Sequence, residues 1–127
     1  MASPALDMGT AAWIGFALSL VRSLWMTFDG ARAFALGDYV TPKTGAYAGQ
    51  LGPWSRLVSA VGLDPRSALV KFLFVALGLA GLVACGAFAL HAPWGRGAVL
   101  ATAVATLWYA PLGTAVDVVV LAVLLLT

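Results

Sequence analysis

Residues 67–90, SALVKFLFVALGLAGLVACGAFAL, contain a single charged side chain, Lys71. At about 1.5 Å per residue, a helix of that length covers the roughly 30 Å of hydrocarbon in a bilayer. The rest of the chain has the same character. Of its 127 residues 62% are hydrophobic and 9% charged, and the mean hydropathy is +0.98. Soluble domains are about half apolar, and a water-soluble fold of this size has too little interior to hide so much apolar surface. The expected class is an all-α integral membrane protein, a single domain over 1–127, with the lipid bilayer as its first partner.

Several functions are disfavoured by composition. The net charge is +2 and no basic run occurs, so nucleic acid is not an expected partner. The single cysteine, Cys85, lies in an apolar run and gives no disulfide framework. Residues 11–21 are apolar, but MASPALDMGT before them has no Lys or Arg and Arg22 follows directly. A cleaved signal peptide is therefore not expected.

The first span is expected at about 11–28, N-capped by Thr10 and extending as far as Leu36 before Gly37 stops it. A polar loop, residues 37–53, comes next. Trp54, Leu57, Val58 and Val61 then recur at i, i+3, i+4 and i+7, predicting a short amphipathic helix over 53–62 that lies in the interface. Asp64-Pro65 reads as the start of the second span, about 67–90. The last stretch has two readings: spans at about 94–108 and 111–127, or one long helix kinked at Pro111.

The aromatic residues favour four spans. Arg32, Lys43, Arg56 and Arg66 mark segment 29–66 as cytoplasmic and leave the N-terminus outside. Trp13 and Trp94 then fall at the outer interface, and Trp25, Trp54, Trp108 and Tyr109 at the inner one. A single kinked helix would instead bury Trp108 and Tyr109 in hydrocarbon.

The run Ala92-Pro93-Trp94-Gly95-Arg96, followed by an Ala/Val-rich helix and Leu107-Trp108-Tyr109-Ala110-Pro111-Leu112-Gly113-Thr114, resembles the end of many small bacterial four-helix membrane proteins. In those a Pro-Trp-x-Arg segment precedes the third span and a Pro-x-Gly-Thr turn opens the fourth. The likeness covers about 35 residues and implies topology, not an activity. A bacterial inner membrane is the expected location. Asp117 departs from it, as does the long segment 29–66.

Charged residues inside apolar runs cost about 2.5–3.5 kcal/mol each at a helix centre, so they normally face a partner or a wet cavity. Here they are Arg22, Lys71 and Asp117. At about 1.5 Å per residue all three lie roughly 6–9 Å below the inner surface. An Arg22–Asp117 ion pair is expected, with Lys71 joining it or snorkelling to the surface. Ladders of small residues, Gly15-Ser19-Ser23, Ala76-Ala80-Ala84 with Gly81-Cys85, and Ala98-Thr102-Thr106 beside Gly97-Ala101-Ala105, suit close packing within one bundle or against another chain.

Other chemistry is sparse. His91 could hydrogen-bond at the interface or ligate a haem or chlorophyll from a neighbouring chain. Asp38, Tyr39, Tyr47, Gln50 and Trp54 could form a docking loop or cap the bundle. No metal cluster, nucleophile–base pair, phosphate loop or paired carboxylates can be assembled, and no cofactor is expected. The expected function is a non-enzymatic accessory or scaffolding subunit of a larger membrane assembly. A small oligomeric transporter or channel using Arg22, Lys71 and Asp117 is the alternative.

Overall fold

The computed structural model describes residues 8–39, 41, 50–109 and 112–126. Among them the chain is all-helical: α1 (Met8–Leu36), α2 (Trp54–Ala60), α3 (Ala68–Ala89), α4 (Gly95–Ala105) and α5 (Leu112–Leu126). Two of these helices, α1 and α3, are long and apolar enough to cross a membrane. The others are shorter, with 11 residues in α4 and 15 in α5.

The most extensive contact in the bundle is between α1 and α3, and α5 packs on α1 while α4 packs on α3. Glycine makes the first contact possible. A Cβ on Gly78 would lie 2.6 Å from the backbone nitrogen of Thr27, and one on Gly30 would lie 2.7 Å from the Phe74 Cβ. At these positions the absence of a side chain sets how closely the backbones approach.

Helix ends follow local chemistry. His91 adopts a left-handed φ of 61° after α3. Its N–H donates to Phe88 O and that of Ala92 to Ala87 O, the paired bonds of a Schellman motif. Gly62, at φ 89°, closes α2 in the same way through bonds to Ser59 O and Val58 O. Gly37, at φ 93°, follows the last residue of α1. That is the expected stop, but α1 is one unbroken helix from Met8, so Thr10 lies inside it and is not its N-cap.

The start of α3 also differs from expectation. Ser67, not Asp64, is the N-cap, and its hydroxyl accepts from Val70 N. Asp64 instead builds the turn ahead of it, accepting from Arg66 N through its side chain and from Ser67 N through its carbonyl. A polar side chain before Pro serves a turn as readily as a helix cap.

The two-helix reading of the C-terminal stretch holds, and the single kinked helix does not. Arg96 at the start of α4 donates to Leu124 O near the end of α5. At the other end Thr114 N donates to Tyr109 O, and the Thr114 hydroxyl donates to Leu107 O. Contacts at both ends define an antiparallel hairpin. Pro111 lies outside the described residues.

The interior has two apolar clusters. One gathers Met26, Ala33, Tyr39, Trp54, Val58, Val70 and Phe74, with Trp108 and Tyr109 packed against it. The other, toward the opposite end, gathers Ala12, Ala84, Val99, Ala103, Val120 and Leu124. Between them lies a layer of polar side chains.

Candidate functional site

Ser19, Arg22 and Ser23 lie on one face of α1 because positions three and four apart on a helix are neighbours. All three are buried, as are Thr106 after α4 and Asp117 on α5. Arg22 Nη1 donates to Asp117 Oδ1, closing an ion pair across 95 positions of sequence. Arg22 Nη2 donates to Ser19 Oγ at 3.0 Å and to Ser23 Oγ at 3.1 Å. The Thr106 hydroxyl lies 2.6 Å from Asp117 Oδ2 and 2.8 Å from Thr102 O. Its single proton serves one of these acceptors at a time. Arg22 Nε has no hydrogen-bond partner.

Lys71 does not join this cluster. Its Nζ donates to Gly37 O at 3.1 Å, placing a cation on the carboxyl end of α1, where the helix dipole is negative. The reason is the length of α1. It continues as helix eight residues past Phe28, so its end hangs over the first turns of α3. Arg96 does the same for α5 by binding Leu124 O.

Asp29 is a buried carboxylate that the sequence pattern does not single out, at 4% exposure. It falls just past the expected span 11–28, and α1 carries it through the core face, seven residues and two turns after Arg22. Its charge acts on the Tyr39 phenol. Burial first, and then the Asp29 and Asp38 charges, push that phenol well above its usual pKa. Tyr39 therefore remains a proton donor, and its hydroxyl donates to Pro65 O at 2.9 Å.

The docking loop is reassigned. Tyr39 and Trp54 are buried, with ring centroids 5.1 Å apart and both packed on Phe74. These two side chains pack into the bundle as a cap. Asp38 binds Arg66 Nε at 3.0 Å. Burial raises the Asp38 carboxyl, but the hydrogen bonds from Arg66 and from Tyr39 N outweigh it and hold it below the usual value. Gln50 is exposed, and Tyr47 lies outside the described residues. His91 ends α3 with its ring 6.4 Å from that of Trp13. Among the described residues no group of three or more His, Cys, Asp or Glu could hold a metal ion.

The small-residue ladders are sorted by the fold. Gly15, Ser19 and Ser23 are buried, as are Gly81, Ala84 and Cys85 on α3, but Ala80 is exposed. On α4, Gly97, Ala101 and Ala105 are exposed as well. The inward face of that helix is Gly95, Val99 and Ala103.

Arg22, Asp29 and Asp117 are buried in this bundle, and many large apolar side chains lie on its outside. Val21, Phe28, Leu69, Phe72, Val83, Val104 and Val118 are all exposed. Fold and site together define a helical bundle with a buried ion pair and two helices long and apolar enough to cross a membrane. No family model matches the chain, and neither a curated protein nor a solved structure matches it.

Proposed function

We propose that this chain is a four-span protein of a bacterial inner membrane, acting as an accessory or scaffolding subunit of a larger assembly. The observation that carries the reading is that Arg22 and Asp117 pair within the chain while many large apolar side chains lie on its exterior. The two ions are 4% and 0% exposed, which supports a role in fixing helix register. The exposed Gly97-Ala101-Ala105 face of α4 offers close packing to a neighbouring helix. At about 1.5 Å per residue α4 and α5 fall short of the full hydrocarbon thickness, and local thinning or association with a partner helix accommodates them. The positive charges of segment 29–66, Arg32, Lys43, Arg56 and Arg66, support a cytoplasmic side for that segment and an N-terminus outside.

Gentle extraction followed by mass spectrometry of the intact complex tests this. Reproducible partner subunits support it, and a monomer that binds nothing refutes it. Thiol labelling of Ser59→Cys and Trp94→Cys from opposite sides of the membrane tests the topology; labelling of both from one side refutes it.

One observation favours transport instead. A cavity of about 390 Å³ between α1 and α5 is lined by Val21, Arg22, Trp25, Tyr109 and Val116. It reaches Arg22 from the side. Solute flux through reconstituted protein that vanishes in Asp117→Asn would select that reading.

A further inference from the structure

The α2 helix separates two grooves of opposite character. On one side lies a polar groove of about 390 Å³ lined by Gln50, Ser55, Arg56, Ser59, Asp64 and Arg66. On the other lies an apolar groove of about 560 Å³ lined by Leu57, Val61, Leu63, Val70, Leu73 and Trp108 among others. Arg56 and Ala60 are four apart and share a face of α2. Arg56 lines the first groove and Ala60 the second, so a molecule crossing α2 along this ridge reaches both.

The charges of the polar groove are specific. Arg66 is paired with Asp38. Asp64 Oδ1 accepts only a backbone N–H, that of Arg66, in a 2.9 Å bond. Among the described residues no hydrogen bond or ion pair engages the Arg56 guanidinium. One free cation and one carboxylate therefore line a groove that opens beside an apolar channel. That pattern is complementary to a zwitterion joined to a hydrocarbon chain, and less so to a purely anionic headgroup, which Asp64 would repel.

We infer that α2 seats a phospholipid with a phosphate and a primary ammonium in its headgroup. The phosphate pairs with Arg56, the ammonium donates to Asp64, and one acyl chain lies between α2 and α3. A quaternary ammonium has no N–H to donate to Asp64 and is bound less well. The inference rests on the membrane reading above.

The test uses the full chain in mixed micelles with equal amounts of phosphatidylethanolamine, phosphatidylglycerol and phosphatidylcholine of matched acyl chains, with retained lipids counted by native mass spectrometry. Phosphatidylethanolamine should be retained preferentially. Arg56→Gln and Asp64→Asn, both at exposed positions, should each lower that retention about two- to fivefold, the span of an exposed ion pair, and Arg56→Lys should restore it. Equal or greater retention of phosphatidylglycerol, no retention, or retention unaffected by the variants overturns the lipid site. Alkaline carbonate extraction of native membranes is run in parallel. A chain washed off by carbonate overturns the membrane reading and the lipid site together, whereas an integral chain that retains no lipid overturns the lipid site alone.

Discussion

Gly81 and Ser23 pack so closely that a Cβ on Gly81 would stand 2.0 Å from the Ser23 hydroxyl oxygen and 3.2 Å from Arg22 Nη2. The α1–α3 seam and the polar layer are therefore one structure. A methyl group at position 81 forces Ser23 away and removes a bond to Arg22. Gly81→Ala should destabilise the bundle by about 1–3 kcal/mol, the usual cost of overpacking. Gly78→Ala should cost at least as much, because its neighbour is Thr27 backbone. Gly97→Ala, with nothing within 4 Å, should be neutral in the monomer. Denaturant titration in detergent measures all three.

Removing one partner of the buried ion pair strands the other. Asp117→Ala and Arg22→Ala should each cost about 3–5 kcal/mol. The double variant should recover part of the summed loss, and strictly additive losses in the cycle would refute the coupling.

The Asp38 carboxyl has a folded-state pKa below its ordinary 3.8. Its pairing with Arg66 therefore contributes stability that is fully present above that ordinary value and is lost as the pH falls through the lower, folded one. The unfolding midpoint should drop on acidification below about pH 4, and Asp38→Asn should flatten that part of the profile. An unchanged profile would mean that another carboxylate governs the acid limb.

Tyr39→Phe removes the hydroxyl that holds Pro65 O and leaves the ring packing on Phe74 intact. The expected loss is about 1 kcal/mol. Amide hydrogen exchange at Arg66 and Ser67 should quicken while exchange in the centre of α3 stays slow.

Substituting Lys71→Met removes the cation from the carboxyl end of α1. A loss of about 0.3–1 kcal/mol is expected, much smaller than for Asp117→Ala. A comparable loss would show that Lys71 supports the ion pair after all.

The Arg22–Asp117 pairing was legible because depth along a helix follows from residue counting, and two opposite charges at one level inside apolar runs have few other partners. The role of Lys71 was not: the extension of α1 to Leu36 was expected, but that its end packs beside the first turns of α3, within reach of Lys71, is decided by tertiary packing. Asp29 was obscure because it falls just past the expected span 11–28, where a carboxylate reads as solvated; packing of the bundle turns it inward. Trp54 looked like an interface residue by type, yet it is buried among Tyr39, Phe74 and Trp108. The ladders on α4 could not be ranked from spacing, since both have the same period. The face that α3 and α5 bury is the Gly95-Val99-Ala103 row, which neither ladder contains.

The ion pair joins the first helix to the last, its members 95 positions apart in sequence. On the proposed membrane reading, a nascent chain presents Arg22 to the bilayer long before Asp117 has been synthesised. Until then the guanidinium has only Ser19 and Ser23 for company, and α1 must wait near the headgroups or beside an insertion factor. Arrival of α5 then supplies the counter-charge and draws α1 to its final depth, so a ribosome stalled before residue 117 should leave α1 shallow and extractable.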